Sequence, residues 1–190
     1  MIKILRVSVI FACVCTSTHV LAADPGEDFS IQLFLKACVT SFAYAPKVAL
    51  QAQAMGLDEL KGDKAGKYLG GQQGRVWYGE NKSGGFALTL LHAGLCTVVV
   101  HNGDGDRIRT GFESWLPPSD SGITVKTEDI SSQPGLTSTS YTIHGGKINE
   151  MWTLSVSSIP ESRIRAIMSY EGHYSASKAR HDLSMESDSI

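Results

Sequence analysis

The chain lacks an apolar run long enough to remain in a bilayer as a permanent helix. It also lacks a basic excess: 17 Lys and Arg stand against 19 Asp and Glu, so nothing in its charge draws it to nucleic acid or to an anionic membrane. There is no Cys-x-x-Cys, which removes support for a thioredoxin-like redox role. There is no His-Glu-x-x-His of a zinc protease and no Gly-x-Ser-x-Gly nucleophile elbow. The glycine-rich "GGQQG" is no phosphate loop, because it lacks Lys-Ser/Thr and leads into a strand rather than a helix. These absences remove the common hydrolase and nucleotide-binding signatures.

What is present begins with a three-part N-terminus. Met1 to Arg6 carries two cations, Lys3 and Arg6, then comes the apolar run "VSVIFACV", then the more polar "CTSTHVLAA" ending in small residues. This pattern predicts a secretory signal peptide over 1–23, cleaved after Ala22 or Ala23, and hence a periplasmic protein without a transmembrane helix after cleavage. A lipid-anchored variant at Cys13 is less favoured: Ala12 suits a lipid-modified cysteine, but Ile10 and Phe11 fit poorly. Losing Lys3 and Arg6 leaves 15 cations against 19 acids, a net charge of −4.

Two of the four cysteines, Cys38 and Cys96, survive that cleavage. An even count in an oxidising compartment predicts one disulfide, the alternative being two buried thiols. Cys38 falls on an expected helix and Cys96 at the start of an expected strand, so a bond between them would pin the helix to a sheet.

After a polar lead-in, "FSIQLFLKACVTSFAYA" carries apolar residues around much of a helical circumference, with Phe29, Leu33, Ala37, Thr40 and Tyr44 on one face and Ile31, Phe34, Leu35, Cys38 and Phe42 on another. Pro46 ends this helix and opens a second that runs to Met55, capped by Gly56. "DELKGDKAGKYLGGQQG" predicts a short helical piece and a loop. Three strands follow, in "RVWYGE", "FALTLLH" and "LCTVVVH", the second with Phe86, Leu88 and Leu90 on one face. A short helix ends before Pro117-Pro118. Four more strands are expected: "ITVKTE", a hairpin around Gly145-Gly146 with Trp152, Leu154 and Val156 alternating, and "SRIRAIMSYEG" with Ile164, Ala166, Met168 and Tyr170 on one face. Residues 173–190 are short of large aliphatics and predict a mobile polar tail. Helices and strands are segregated rather than alternating. The expected fold is therefore α+β, a single domain over 24–172 with N-terminal helices packed on an antiparallel sheet of about six to seven strands.

Asn102 to Glu113, "NGDGDRIRTGFE", has the oxygen spacing of a twelve-residue calcium loop, with Asn102, Asp104, Asp106, Thr110 and Glu113 at ligand positions. Arg107 stands where the sharp turn wants glycine, and Arg109 adds a second cation that opposes a divalent ion. A plainer reading covers the same residues and is preferred. Asn102-Gly103 and Asp104-Gly105 make turns, Asp104 or Asp106 caps a helix, and Thr110 and Glu113 have capping-box spacing. No cofactor is expected, calcium being the one ion the spacing suggests.

Other candidates are sparser. His92 and His101 end adjacent strands and are expected near one another, where Asp104 could complete a general-base or transition-metal site; ordinary strand-end polarity is the competing reading. Trp77 and Tyr78 could line a pocket, although such aromatics usually belong to a sheet core. His173 and His181 fall in the expected tail, and Glu128 and Asp129 would point to opposite faces of a strand.

The helix bearing Cys38, then "YLGGQQGRVWY", then "FALTLLHAGLCTVVV" resembles an uncharacterised family of small exported Gram-negative periplasmic proteins and lipoproteins. The pattern is a helix cysteine, a Gly-x-[Val/Ala]-[Trp/Tyr] strand at Gly74 to Trp77, and a Gly-x-Cys-[Thr/Ser]-Val strand at Gly94 to Val98. It covers about residues 30–115. The resemblance implies a periplasmic location and a Cys38–Cys96 bond, and it implies no activity.

With export, a stapled α+β core and no convergent catalytic set, the expected role is a non-enzymatic module that binds another envelope protein or a small ligand, of envelope-accessory, inhibitor or immunity type. The alternative is a periplasmic hydrolase, with or without a metal, using His101 with Asp104 or Asp106. Native mass spectrometry of the exported protein, run without reductant, is expected to give a chain cut after Ala22 or Ala23 and lacking two hydrogens.

Overall fold

A computed structural model of the chain describes residues 25–82, 84–145 and 148–172. The expected signal peptide, the Cys13 anchor, the tail with His173 and His181, and Gly146 of the expected hairpin lie outside the described residues.

The first helix, α1, spans Pro25–Leu33 and continues directly into a π-helical segment, Phe34–Val39. Bonds reach back five residues there, from Thr40 N–H to the Leu35 carbonyl at 2.7 Å and from Ala43 N–H to the Cys38 carbonyl at 3.1 Å. The wider turn buries the consecutive pairs Leu33-Phe34 and Ala37-Cys38 on the sheet side. It also ends the helix earlier than the sequence suggested: Phe42 and Tyr44, expected on helical faces, are exposed, and Phe42 and Ala43 both have φ near +51°. The second helix, α2 (Ala45–Ala54), starts with Pro46 in its first turn and is followed by Gly56 at φ +79°.

The strands are β1 (Asp58–Leu60), β2 (Gly74–Asn81), β3 (Gly84–Leu91), β4 (Cys96–Val100), β5 (Thr124–Asp129), β6 (Leu136–Gly145), β7 (Ile148–Ser157) and β8 (Ala166–Gly172). The remaining helices are α3 (Gly62–Leu69), between β1 and β2, and α4 (Gly105–Glu113), between β4 and β5. All eight strands form one antiparallel sheet in the order β1-β2-β3-β4-β8-β7-β6-β5. The sheet thus has one strand more than the upper expectation. The addition is β1, three residues paired to β2 and pinned by Arg75, whose Nε and Nη2 donate to the two oxygens of Glu59 at 2.9 Å each. Those bonds hold Glu59 down to about 2.

The chain crosses over once. It leaves β4 through α4 to the far edge at β5, then returns strand by strand until β8 pairs with β4. α1, the π-helical segment and α4 pack on one face of the sheet. There Phe34 meets Phe112 at 5.2 Å and Trp152 edge-on at 5.5 Å, and Phe112 meets Tyr141 at 5.7 Å between ring centroids. Trp77, Phe86, Leu88, Leu90, Val98, Leu154, Met168 and Tyr170 complete the core. α1 and α4 approach so closely that a Cβ on Gly111 would lie 2.3 Å from Ile31 Cδ1. The face alternation expected for β3, β7 and β8 holds, with two corrections. Ala87 and Thr89 are buried as well, because α3 packs on β2 and β3. Ile164 is 39% exposed, because β8 begins only at Ala166.

Cys38 and Cys96 form a disulfide with Cα atoms 5.4 Å apart, both fully buried. It joins the π-helical segment to β4 and closes a loop of about 59 residues, for which loop-closure entropy allows about 4 kcal/mol. The double variant Cys38→Ala/Cys96→Ala is expected to lower the unfolding free energy by up to that amount in urea titrations. Phe112→Ala, which empties the centre of the aromatic contact, is expected to cost about 3–5 kcal/mol with the disulfide intact.

Candidate functional site

The segment 102–113 folds as turn and helix. Asn102-Gly103 turns the chain out of β4, with Gly103 at φ +123°. Asp104 takes an extended backbone, and its Oδ1 accepts from the N–H groups of Asp106 (2.9 Å) and Arg107 (3.2 Å), capping α4. Ile108 and Phe112, four residues apart, turn into the core. Arg109 Nη1 donates to Thr139 Oγ1 at 3.3 Å and lies 3.9 Å from Glu113 Oε1. Tyr141 donates to Glu113 at 2.6 Å, and burial together with that carboxylate pushes the phenol up to about 12.

This helical path separates the five oxygens that the calcium spacing brought together. Asp104 caps the first turn and Glu113 ends the last, about 13 Å along the axis at 1.5 Å per residue. Thr110 spends its hydroxyl on the Asp106 carbonyl at 2.9 Å, and Asn102 sits against the start of β3, where a Cβ on Gly84 would meet its Cβ at 2.8 Å. Among the described residues no group of three or more His, Cys, Asp or Glu is placed to hold a metal ion.

The expected neighbours His92 and His101 stand at opposite ends of the sheet. Consecutive antiparallel strands run in opposite directions, so the ends of β3 and β4 lie far apart. His101 N–H bonds to the Gly85 carbonyl, and His92 is seven residues further along, about 20 Å at strand rise. His92 borders a dip of about 220 Å³ with Ala43, Ala45, Arg75, Leu90, Leu91 and Gly94. Trp77 is fully buried in the core, with Arg75 stacked on its ring at 4.7 Å. Of the four expected pocket residues, only Tyr78 and His101 meet, ring centroids 6.2 Å apart on the opposite face of the sheet. Tyr68 of α3 joins them, a residue the sequence reading had not singled out. His101 Nδ1 lies 2.8 Å from the Arg163 carbonyl and so carries the proton; Nε2, 3.3 Å from Tyr68, accepts from its hydroxyl. Both ring nitrogens of His101 are thus engaged with groups other than Asp104 and Asp106. Tyr78 donates to Glu80, which with burial pushes its phenol up to about 12.

A cavity lies at the start of α4. A cleft of about 590 Å³ is bordered by the cap Asp104 with Asp106 and Arg109 of α4, Thr137 of β6, Val156 to Ser158 at the end of β7, and Arg165 just before β8. Two of the residues singled out for calcium, Asp104 and Asp106, therefore line it. Close approach at Gly105 shapes its floor, since a Cβ there would lie 2.4 Å from Val156 Cγ1. Arg165 is the residue that the sequence did not mark. Its Nη1 donates to the carbonyls of Ser157 (2.9 Å) and Ile159 (3.2 Å) and its Nη2 to that of Pro160 (2.9 Å), while its buried Nε has no partner. The signal available was positional: an arginine directly before an alternating apolar strand.

Compared with protein-family models, curated proteins and solved structures, the chain matches none. The arrangement itself offers fixed charges of both signs and hydroxyls around an open cleft. Asp104→Ala is expected to destabilise the protein by about 1 kcal/mol through the lost cap, and Asp104→Asn by much less, as measured by thermal unfolding.

Proposed function

We propose that the chain is an exported periplasmic binding module without catalysis of its own, and that its ligand, a small molecule or a segment of an envelope protein, occupies the cleft at the start of α4. The cleft carries this reading. Its volume of about 590 Å³ falls within the range of ligand sites, and two arginines, two aspartates and several hydroxyls converge on it. Its lining includes neither histidine nor cysteine, so it holds no Ser–His or Cys–His pair. Ser158 spends its hydroxyl on the Gly135 carbonyl, and the Ser157 hydroxyl accepts from Ile159 N–H. The three-part N-terminus supports export. No helix among the described residues is long and apolar enough to cross a membrane. The hydrolase reading needed His101 beside Asp104 or Asp106, and both ring nitrogens of His101 are engaged elsewhere.

A photo-crosslinking residue placed at Thr137, on the cleft rim, tests this in cells that export the protein. It is expected to capture a discrete adduct, whereas the same residue at Lys126, on the edge strand β5, captures none. Equal capture at both positions, or at neither, would overturn the cleft as the binding surface.

A further inference from the structure

The charges around the cleft say what kind of ligand it suits. Arg165 is held rigidly by three backbone carbonyls, which orient the guanidinium without cancelling its charge. No carboxylate among the described residues forms an ion pair with it; its Nε–H is buried, and beyond the three carbonyl bonds a second Nη2–H remains to donate. Asp106 gives the protein's own hydrogen bonds its backbone: its N–H goes to Asp104, and its carbonyl accepts from Thr110. Its carboxylate stands exposed at the cleft.

Arg109 and Arg165 against Asp104 and Asp106 make the lining neutral in sum. A ligand of one sign would meet repulsion as well as attraction there. A ligand with separated charges of both signs meets attraction at each end. Between the charged groups the wall is mixed, with Val156 and Pro160 beside the hydroxyls of Thr137, Ser157 and Ser158, which suits amide groups and small side chains.

We infer that the cleft takes a short peptide with both termini free, its α-carboxylate on Arg165 and its α-amino group on Asp106. This rests on the cleft being the binding surface proposed above. The carboxylate gains a charge-assisted hydrogen bond from the remaining Nη2–H of a pre-oriented guanidinium, and the ammonium gains a counter-ion at the start of α4.

The test is calorimetric titration of the folded, oxidised protein with tri-L-alanine, N-acetyl-tri-L-alanine and tri-L-alanine amide. Tri-L-alanine is expected to bind, and each blocked peptide to bind about tenfold more weakly or worse. Asp106→Asn is expected to weaken tri-L-alanine by about tenfold while leaving the amino-blocked peptide unchanged. Arg165→Met is expected to abolish the advantage of a free carboxylate. Because Arg165 also braces three carbonyls, circular dichroism accompanies that variant, and Asp106→Asn carries the inference if Arg165→Met unfolds. Equal affinity for tri-L-alanine and its N-acetyl form would mark a plain anion site and overturn the inference. Failure of all three peptides would also overturn it; if the Thr137 crosslinker still captured an envelope protein, the binding-module reading would stand without it.

Discussion

The bond between Cys38 and Cys96 lies at the seam of the molecule. β4 joins the two halves of the sheet, with β3 on one side and β8 on the other, and Cys96 faces Leu90 and Tyr170 in those two ladders. Its partner lies in the π-helical segment, whose wider turn presents Cys38 to the sheet. Fixing that turn fixes Phe34 one turn earlier, and Phe34 in turn meets Phe112 of α4 and Trp152 of β7. One covalent link thus sets the position of helices that touch both halves. The start of α4, and with it the cleft, inherits its position from the same contacts.

The cleft depends on three local devices rather than on one motif. Asp104 ends the backbone's extended run and starts a helix by accepting two N–H groups. Gly105 permits a side-chain-free approach to Val156. Arg165 gathers the carbonyls of a turn that would otherwise leave them to solvent. These serve stability and leave charged groups facing open space, so fold and binding draw on the same residues. The tyrosine and histidine cluster on the other face is more inward-looking, since its hydrogen-bonding atoms are satisfied by one another, by Glu80 and by the Arg163 carbonyl.

Much of this was legible in the sequence where side-chain pattern and backbone chemistry agree. Alternating apolar residues marked β3, β7 and β8, and turn dipeptides followed by a capping aspartate marked the start of the helix. The pairing of Cys38 with Cys96 followed from there being two candidates. What was hidden is equally specific. Three residues of β1 carry no period, and their pairing hangs on Arg75 reaching Glu59 from the neighbouring strand. The π-helical turn shifts the helical period by a residue, so Phe42 and Tyr44 were placed on faces they do not occupy. His92 and His101 were paired by their similar strand-end positions, although antiparallel direction alone separates them. Arg165 had no motif at all, because its role is made by carbonyls that only the tertiary fold gathers.

The single crossover has a consequence for the order in which the chain can become a protein. β4 is made early, but the strand that covers its second edge, β8, is the last of the described elements. Until residues 166–172 arrive, Val98 and Val99 sit on an open strand edge in what will be the middle of the sheet. The contact that closes the structure spans about seventy residues, a long loop whose closure is slow and which rewards the chain only when complete. A chain interrupted before β8 is left with two half-sheets and an apolar edge open to whatever strand comes first.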